Sequence, residues 1–283
     1  MMRLRLLTAA GLVVCGTLAA SAERIVLTHG ASECVVDTQG ARICSCALDG
    51  EEVLWTSPEK QDPNALWIHG GMPLAWPWYG RIGTGDAHIH GYAWRRPFAV
   101  RSRRADELVL TLETATAHLA YTVKLGRALS LELRTENRSP DDLPLGMAFH
   151  PYFRVGERDR TVVEGLKAEP VPCTSAVDEG VKFKAAVARH ECFVRDAVLK
   201  RSLRIVSENA TGLNLWNPGA EKDCPGTIPG DEWRRFVAVE PFAQGPNKFL
   251  ALKPGESHVL KMSVSVLPLK RMMRMTKEMQ DER

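Results

Sequence analysis

Leu129-Ser130-Leu131-Glu132-Leu133-Arg134 alternates strictly between apolar and polar side chains, the period-two signature of a strand with one buried face. Leu108, Leu110 and Leu112 repeat the pattern, and so do Leu260, Met262, Val264 and Val266. Shorter runs at 25–27, 34–37, 43–48, 121–125, 203–206, 213–216 and 236–239 are bounded by Gly, Pro, Asn or Asp. Many short strands separated by turn residues predict an all-β sandwich or barrel. Helical spacing is confined to the far end, where Met272, Met275 and Met279 recur among charges after Pro268. Residues 269–283 read as a charged C-terminal tail, with a short amphipathic helix lying on the domain as the alternative.

The first residues follow a different pattern. Arg3 and Arg5 precede an uncharged, mostly apolar run from Leu6 to Ala20, and Ala20-Ser21-Ala22 forms a small-x-small cleavage site before Glu23. The run is shorter than the roughly 20 residues that span a bilayer. Residues 1–22 are therefore read as a signal peptide, and the mature chain as secreted, periplasmic or lumenal without a membrane span. An uncleaved anchor is the alternative. The remainder carries no linker, repeat or low-complexity tract, so 23–268 is expected to be one domain.

Composition narrows the partners. The formal charge is +3 for the whole chain, and loss of Arg3 and Arg5 takes it to +1, a balance that suggests no nucleic-acid partner. Of seven cysteines, Cys34, Cys44, Cys46, Cys173, Cys192 and Cys224 lie beyond the leader. An even number in an exported chain permits disulfides whose pairing the sequence does not determine. Cys44 and Cys46 are expected on one strand face. No second Cys or His pair is spaced to complete a four-ligand metal site.

Four segments depart from plain strands and turns. They are Gly70-Gly71-Met72-Pro73-Leu74-Ala75-Trp76-Pro77-Trp78-Tyr79-Gly80, His90-Gly91-Tyr92-Ala93-Trp94, His150-Pro151-Tyr152-Phe153, and Leu215-Trp216-Asn217-Pro218 continued by Asp231-Glu232-Trp233-Arg234-Arg235-Phe236-Val237-Ala238-Val239-Glu240. In this order they resemble the aldose 1-epimerase (galactose mutarotase) superfamily, and within it the glucose-6-phosphate 1-epimerase-like branch. That branch has GG-I-P-x-x-W-P-W-F-G, H-G-F-A-R, H-x-Y-F and W-N-P…D-x-x-W-R-R-x-V-x-V-E segments. The resemblance covers roughly residues 25 to 267.

The resemblance implies a β-supersandwich and an isomerase that interconverts the α and β anomers of an aldose without cofactor or required metal. Ring opening takes the proton of the C1 hydroxyl and gives one to the ring oxygen, so a base and an acid are needed. By the resemblance Glu240 is the base and His150 the acid, placed across the sugar from one another, with His90 polarising the same oxygens. His88 competes with His90, and the His-Gly match decides for His90. Trp76, Tyr79, Trp94 and Tyr152 supply aromatic surface for a sugar ring, with core packing as the competing use of Trp76 and Tyr79, and Arg81 and Arg95 are the nearby cations. Trp216 is read as structural. Glu240 is expected at the rim of a buried strand, with its pKa raised by burial.

Two departures bear on the ligand, a small-molecule sugar or sugar phosphate. Where the branch carries an Arg before Gly-Gly and another closing H-G-F-A-R, this chain has His69 and Trp94. Neither reproduces a bidentate phosphate clamp, and Arg81, Arg95 and Arg96 lie near but at unmatched positions. The stretch 170–195 also lacks the branch's E-x-D-R-type acid, for which Asp178 and Glu179 are the nearest candidates, unassigned. The rival reading is a non-catalytic carbohydrate-binding module on the same scaffold.

Overall fold

A computed structural model describes residues 22–58, 67–82, 89–174, 176–220 and 227–268. Most of the predicted leader, all of the tail, His88 and Cys224 lie outside the described residues. Within them the chain is built of antiparallel strands, with only short 3-10 turns at Ala93–Arg95, Arg158–Arg160 and Gly230–Arg235. No described helix is long and apolar enough to cross a membrane.

A nine-stranded sheet forms one layer, in the order Val171–Pro172, Thr161–Glu164, His190–Asp196, Arg201–Glu208, Ser257–Pro268, Leu129–Asn137, Ala117–Leu125, Glu107–Glu113 and Ala99–Arg103. The alternating segments predicted from sequence sit here, and Leu108, Leu110, Leu131, Leu133, Leu260, Met262 and Val264 all enter the main core. A six-stranded sheet packs its apolar face on that core. It is ordered Val177–Val187, Ala210–Asn217, Phe236–Ala243, Met147–Phe149 and Leu74–Ala75, with Tyr152–Arg154 also paired to Phe236–Ala243. A four-stranded sheet from Arg24–His29 to Glu51–Glu52 covers another side.

In the four-stranded sheet Cys34 lies directly opposite Cys46, and the two form a disulfide. The expected pairing of faces for Cys44 and Cys46 is disturbed by a register shift that sets Val36 against Ile43 and Val35 against Ser45. Cys44 is the residue passed over, and it remains a buried thiol, as do Cys173 and Cys192.

The six-stranded sheet positions the site through strand parity alone. Successive strand residues point to opposite faces, so Leu213, Leu215, Val237, Val239, Met147 and Phe149 enter the core. The other face then carries Asn214, Trp216, Ala238, Glu240 and Phe242. Register extends that face across the sheet: Asn214 pairs with Glu240, Trp216 with Asp178 and with Ala238, Ala238 with Tyr152, and Phe242 with Ala148, two residues before His150. The chemistry-bearing residues of four separate segments therefore meet on one face.

Candidate active site

Glu240 stands within the Phe236–Ala243 strand, and every residue of that strand is buried. This corrects the expected place at a strand rim: the carboxyl rises from the middle of the sheet. Its Oε2 accepts a hydrogen bond of 2.6 Å from the Tyr79 hydroxyl and lies 3.4 Å from His150 Nε2. Oε1 is buried and has no hydrogen-bond partner.

Burial raises the Glu240 pKa to about 8, with the charge of Asp178 adding to it; hydrogen bonds from Tyr79 and Asn214 work against the rise. His150 is displaced the other way. Its burial, with His90 and His69 nearby, holds it well below the ordinary histidine value. Two groups separated in this way titrate as a pair, which keeps one proton over the interval between the two values.

His90 completes the cluster, its ring 5.1 Å from that of His150 and nearly perpendicular to it. The Gly80 N–H donates to His90 Nδ1 at 3.1 Å, which assigns the ring proton to Nε2. Burial lowers its pKa to about 3, so the ring is a neutral donor. The turn holding it depends on Gly91, whose φ is +74° and whose absent Cβ would lie 2.0 Å from the Trp76 carbonyl oxygen. So close a backbone approach, in a left-handed conformation, leaves room for glycine alone.

Aromatic rings enclose the three groups. Trp67 has its centroid 4.5 Å from His90, 5.2 Å from His150 and 5.4 Å from Trp94. His69 stacks on Trp216 at 5.7 Å, and the Trp216 ring also meets the edge of His150 at 6.2 Å. Trp216 lies beside the site and also packs on the buried cluster of Trp55, Tyr152, Trp233 and Phe236, in keeping with the structural role expected for it.

Three expected ligand contacts are placed differently. Trp76 is only 1% exposed, and its indole N–H donates to Thr135 at 3.0 Å, so it belongs to the core. Tyr152 is fully buried, stacked on His150 at 4.9 Å, and its hydroxyl accepts from the Trp67 indole. It supports the histidine from behind. Tyr79 is spent on Glu240. Trp94 is half-buried, and the Arg95 guanidinium sits 4.3 Å over its ring. Arg96 lies over Tyr92 in the same manner, while Arg81 is exposed.

Asn214 and Trp67 were not singled out by sequence, and Asp178 was named only as one of two unassigned candidates for the branch's acid. Asn214 lies opposite Glu240 and donates to Asp178 at 3.2 Å. The two-residue spacing of Asn214 and Trp216 was the available signal for Asn214. Asp178 gains its place only through strand pairing, and Trp67 stands outside every motif.

The family model described as aldose 1-epimerase matches residues 23–265. The chain belongs to the aldose 1-epimerase family. Curated relatives include glucose-6-phosphate 1-epimerase candidates of Salmonella typhimurium and Escherichia coli. They are 28% and 27% identical, and both alignments cover 81% of this chain and 86% of the relative. Among solved structures, a mutarotase candidate from Salmonella typhimurium superposes with a TM-score of 0.74 at 23% identity, covering 87% of this chain and 91% of its own. An aldose 1-epimerase candidate from Escherichia coli gives 0.70 at 17% identity, covering 88% of this chain and 100% of its own. The shared fold is that of the galactose mutarotases, and the family's activity is an isomerase activity.

Proposed function

We propose that this enzyme interconverts the anomers of an unphosphorylated hexose, with Glu240 and His150 as the proton-transfer pair. The observation that carries this reading is the 3.4 Å approach of Glu240 Oε2 to His150 Nε2 inside a buried, aromatic-walled site. The C1 hydroxyl oxygen and the ring oxygen are bonded to one carbon. An acid and a base standing side by side can therefore reach both oxygens, an arrangement that differs from the placement across the ring expected from the resemblance.

In the forward step Glu240 takes the C1 hydroxyl proton as the bond from C1 to the ring oxygen breaks and the carbonyl forms. The ring oxygen takes a proton from His150. Rotation about C1–C2 and the reverse transfers give the other anomer and restore both groups. The pair needs only the one proton it already shares, and the productive form has it on His150. His90 Nε2–H donates to the same oxygens.

The substrate reading rests on the wall. His69 is stacked on Trp216, its pKa lowered to about 4 by burial, so it brings no positive charge for a phosphate near neutrality. Arg95 and Arg96 lie over aromatic rings. Glucose and glucose 6-phosphate are therefore expected to bind within a factor of ten of each other, which is about 1.4 kcal/mol. Titrations at two salt concentrations check this, and a stronger, salt-sensitive preference for the phosphosugar contradicts it.

We further propose export by way of residues 1–22. The Cys34–Cys46 disulfide supports that reading, since such bonds persist in oxidising compartments.

A further inference from the structure

We infer that Tyr79 is a positioning residue for the base: its hydroxyl anchors Oε2 of Glu240 and leaves Oε1 as the oxygen presented to the sugar. This rests on the reading of Glu240 as the base, and it gives the two carboxylate oxygens separate roles.

The geometry behind it is over-determined. The Tyr79 ring stacks on Phe242 at 5.1 Å and 19°, and Phe242 lies on the same strand face as Glu240, two residues on. The ring also meets His90 at 5.2 Å. The next residue, Gly80, is tied to His90 twice: its N–H donates to Nδ1, and its carbonyl accepts from the His90 N–H. The phenol therefore has little freedom, and its hydroxyl is held 2.6 Å from Oε2. Oε1 is buried without a partner, and that is costly unless something is meant to meet it there.

The other titratable groups around Glu240 are His150, in contact with Oε2, and Asp178, which reaches it beside Asn214. His90 and His69 act on His150. Tyr79 holds Oε2 at 2.6 Å, and its hydrogen bond works more strongly against the rise than that of Asn214. It stabilises every state in which Glu240 is ionised, both the productive state with the proton on His150 and the inactive state with no proton on the pair.

Losing the hydroxyl has a signature that a merely structural role does not produce. In Tyr79→Phe the ionised carboxylate is less favoured, so the alkaline limb of the pH–rate profile, expected near 8 in the unmutated protein from the raised Glu240 pKa, should move up. The plateau below it falls by the same factor, because the productive state is rarer. At pH values above both limbs the two profiles converge, since the productive and the dominant states then both contain the ionised carboxyl. A rise of about one pH unit with a plateau loss of about tenfold is expected.

The experiment measures anomer exchange of glucose between pH 5 and 10 for the unmutated protein, Tyr79→Phe, Glu240→Gln and the double variant, with thermal unfolding alongside. A raised limb, a matched plateau loss, and no added loss when Tyr79→Phe is placed on Glu240→Gln are the expected results. A uniform loss at all pH values, an unmoved or lowered limb, or a further loss in the double variant overturns the inference. If Glu240→Gln alone keeps the full rate, the base reading fails instead. Should Tyr79→Phe not fold, 3-fluorotyrosine in the unmutated chain provides the second arm. A more acidic phenol donates more strongly and should lower the limb; an unmoved limb overturns the inference.

Discussion

Replacing Glu240 with Gln is expected to slow anomer exchange by about 100- to 10,000-fold, the range that a general base or acid contributes. His150→Asn should do the same, since the proposed step moves two protons and neither partner supplies both. Sugar affinity should change much less, because these groups act mainly on the transition state. The fold itself is not at risk from the first change. A carboxyl whose pKa is raised to about 8 in the folded protein, from an ordinary value of 4.5, costs stability progressively as pH rises through that interval. A neutral amide at this position carries no such penalty, so the Glu240→Gln variant should unfold at a higher temperature than the unmutated protein above about pH 8. Exchange rates by NMR and unfolding curves at two pH values check both halves. A variant that exchanges anomers at the unmutated rate removes Glu240 from the chemistry.

Gly91→Ala is expected to be the most damaging change to the site's framework. The added methyl would meet the Trp76 carbonyl oxygen at 2.0 Å, its carbon at 2.3 Å and Pro77 N at 2.8 Å, all backbone atoms of a strand end that cannot turn away. The left-handed conformation costs an alanine about 1 kcal/mol or more, and overpacking adds about 1–3 kcal/mol. A loss of about 3 kcal/mol corresponds to a fall of about 6–12 °C in Tm for a domain of this size. Because His90 sits immediately before this glycine, exchange should fall as well. A shift of less than about 2 °C on thermal unfolding would show that the turn relaxes at little cost.

The strands with one solvated face were legible because their alternation is complete. Leu129–Asn137 shows it across its length, and Ser257–Pro268 shows it from Leu260 to Val264. Val177–Val187 was not legible, since Val-Asp-Glu-Gly-Val-Lys-Phe-Lys has neither a clean apolar face nor a continuous apolar run. That one omission hid the place of Asp178, which becomes a neighbour of the site only by pairing with Trp216.

Within the site, the motifs named Glu240, His150 and His90, which the fold brings together, but residue type does not encode direction. Trp76 and Tyr152 have the composition of a sugar platform and are buried behind it, whereas Trp216 and the unforeseen Trp67 face the histidines. The Tyr79 hydroxyl is the clearest case. The branch pattern has Phe at that position, and only the folded sheet shows that the additional oxygen falls within bonding distance of a buried carboxylate.

The most direct test is exchange between the α and β anomers by magnetisation transfer, with the unmutated protein added to glucose, galactose and glucose 6-phosphate in turn. At least one neutral hexose should exchange far faster than in buffer, lose that acceleration with Glu240→Gln, and gain little from a phosphate. A protein that binds these sugars yet exchanges their anomers no faster than buffer would contradict the account at its centre.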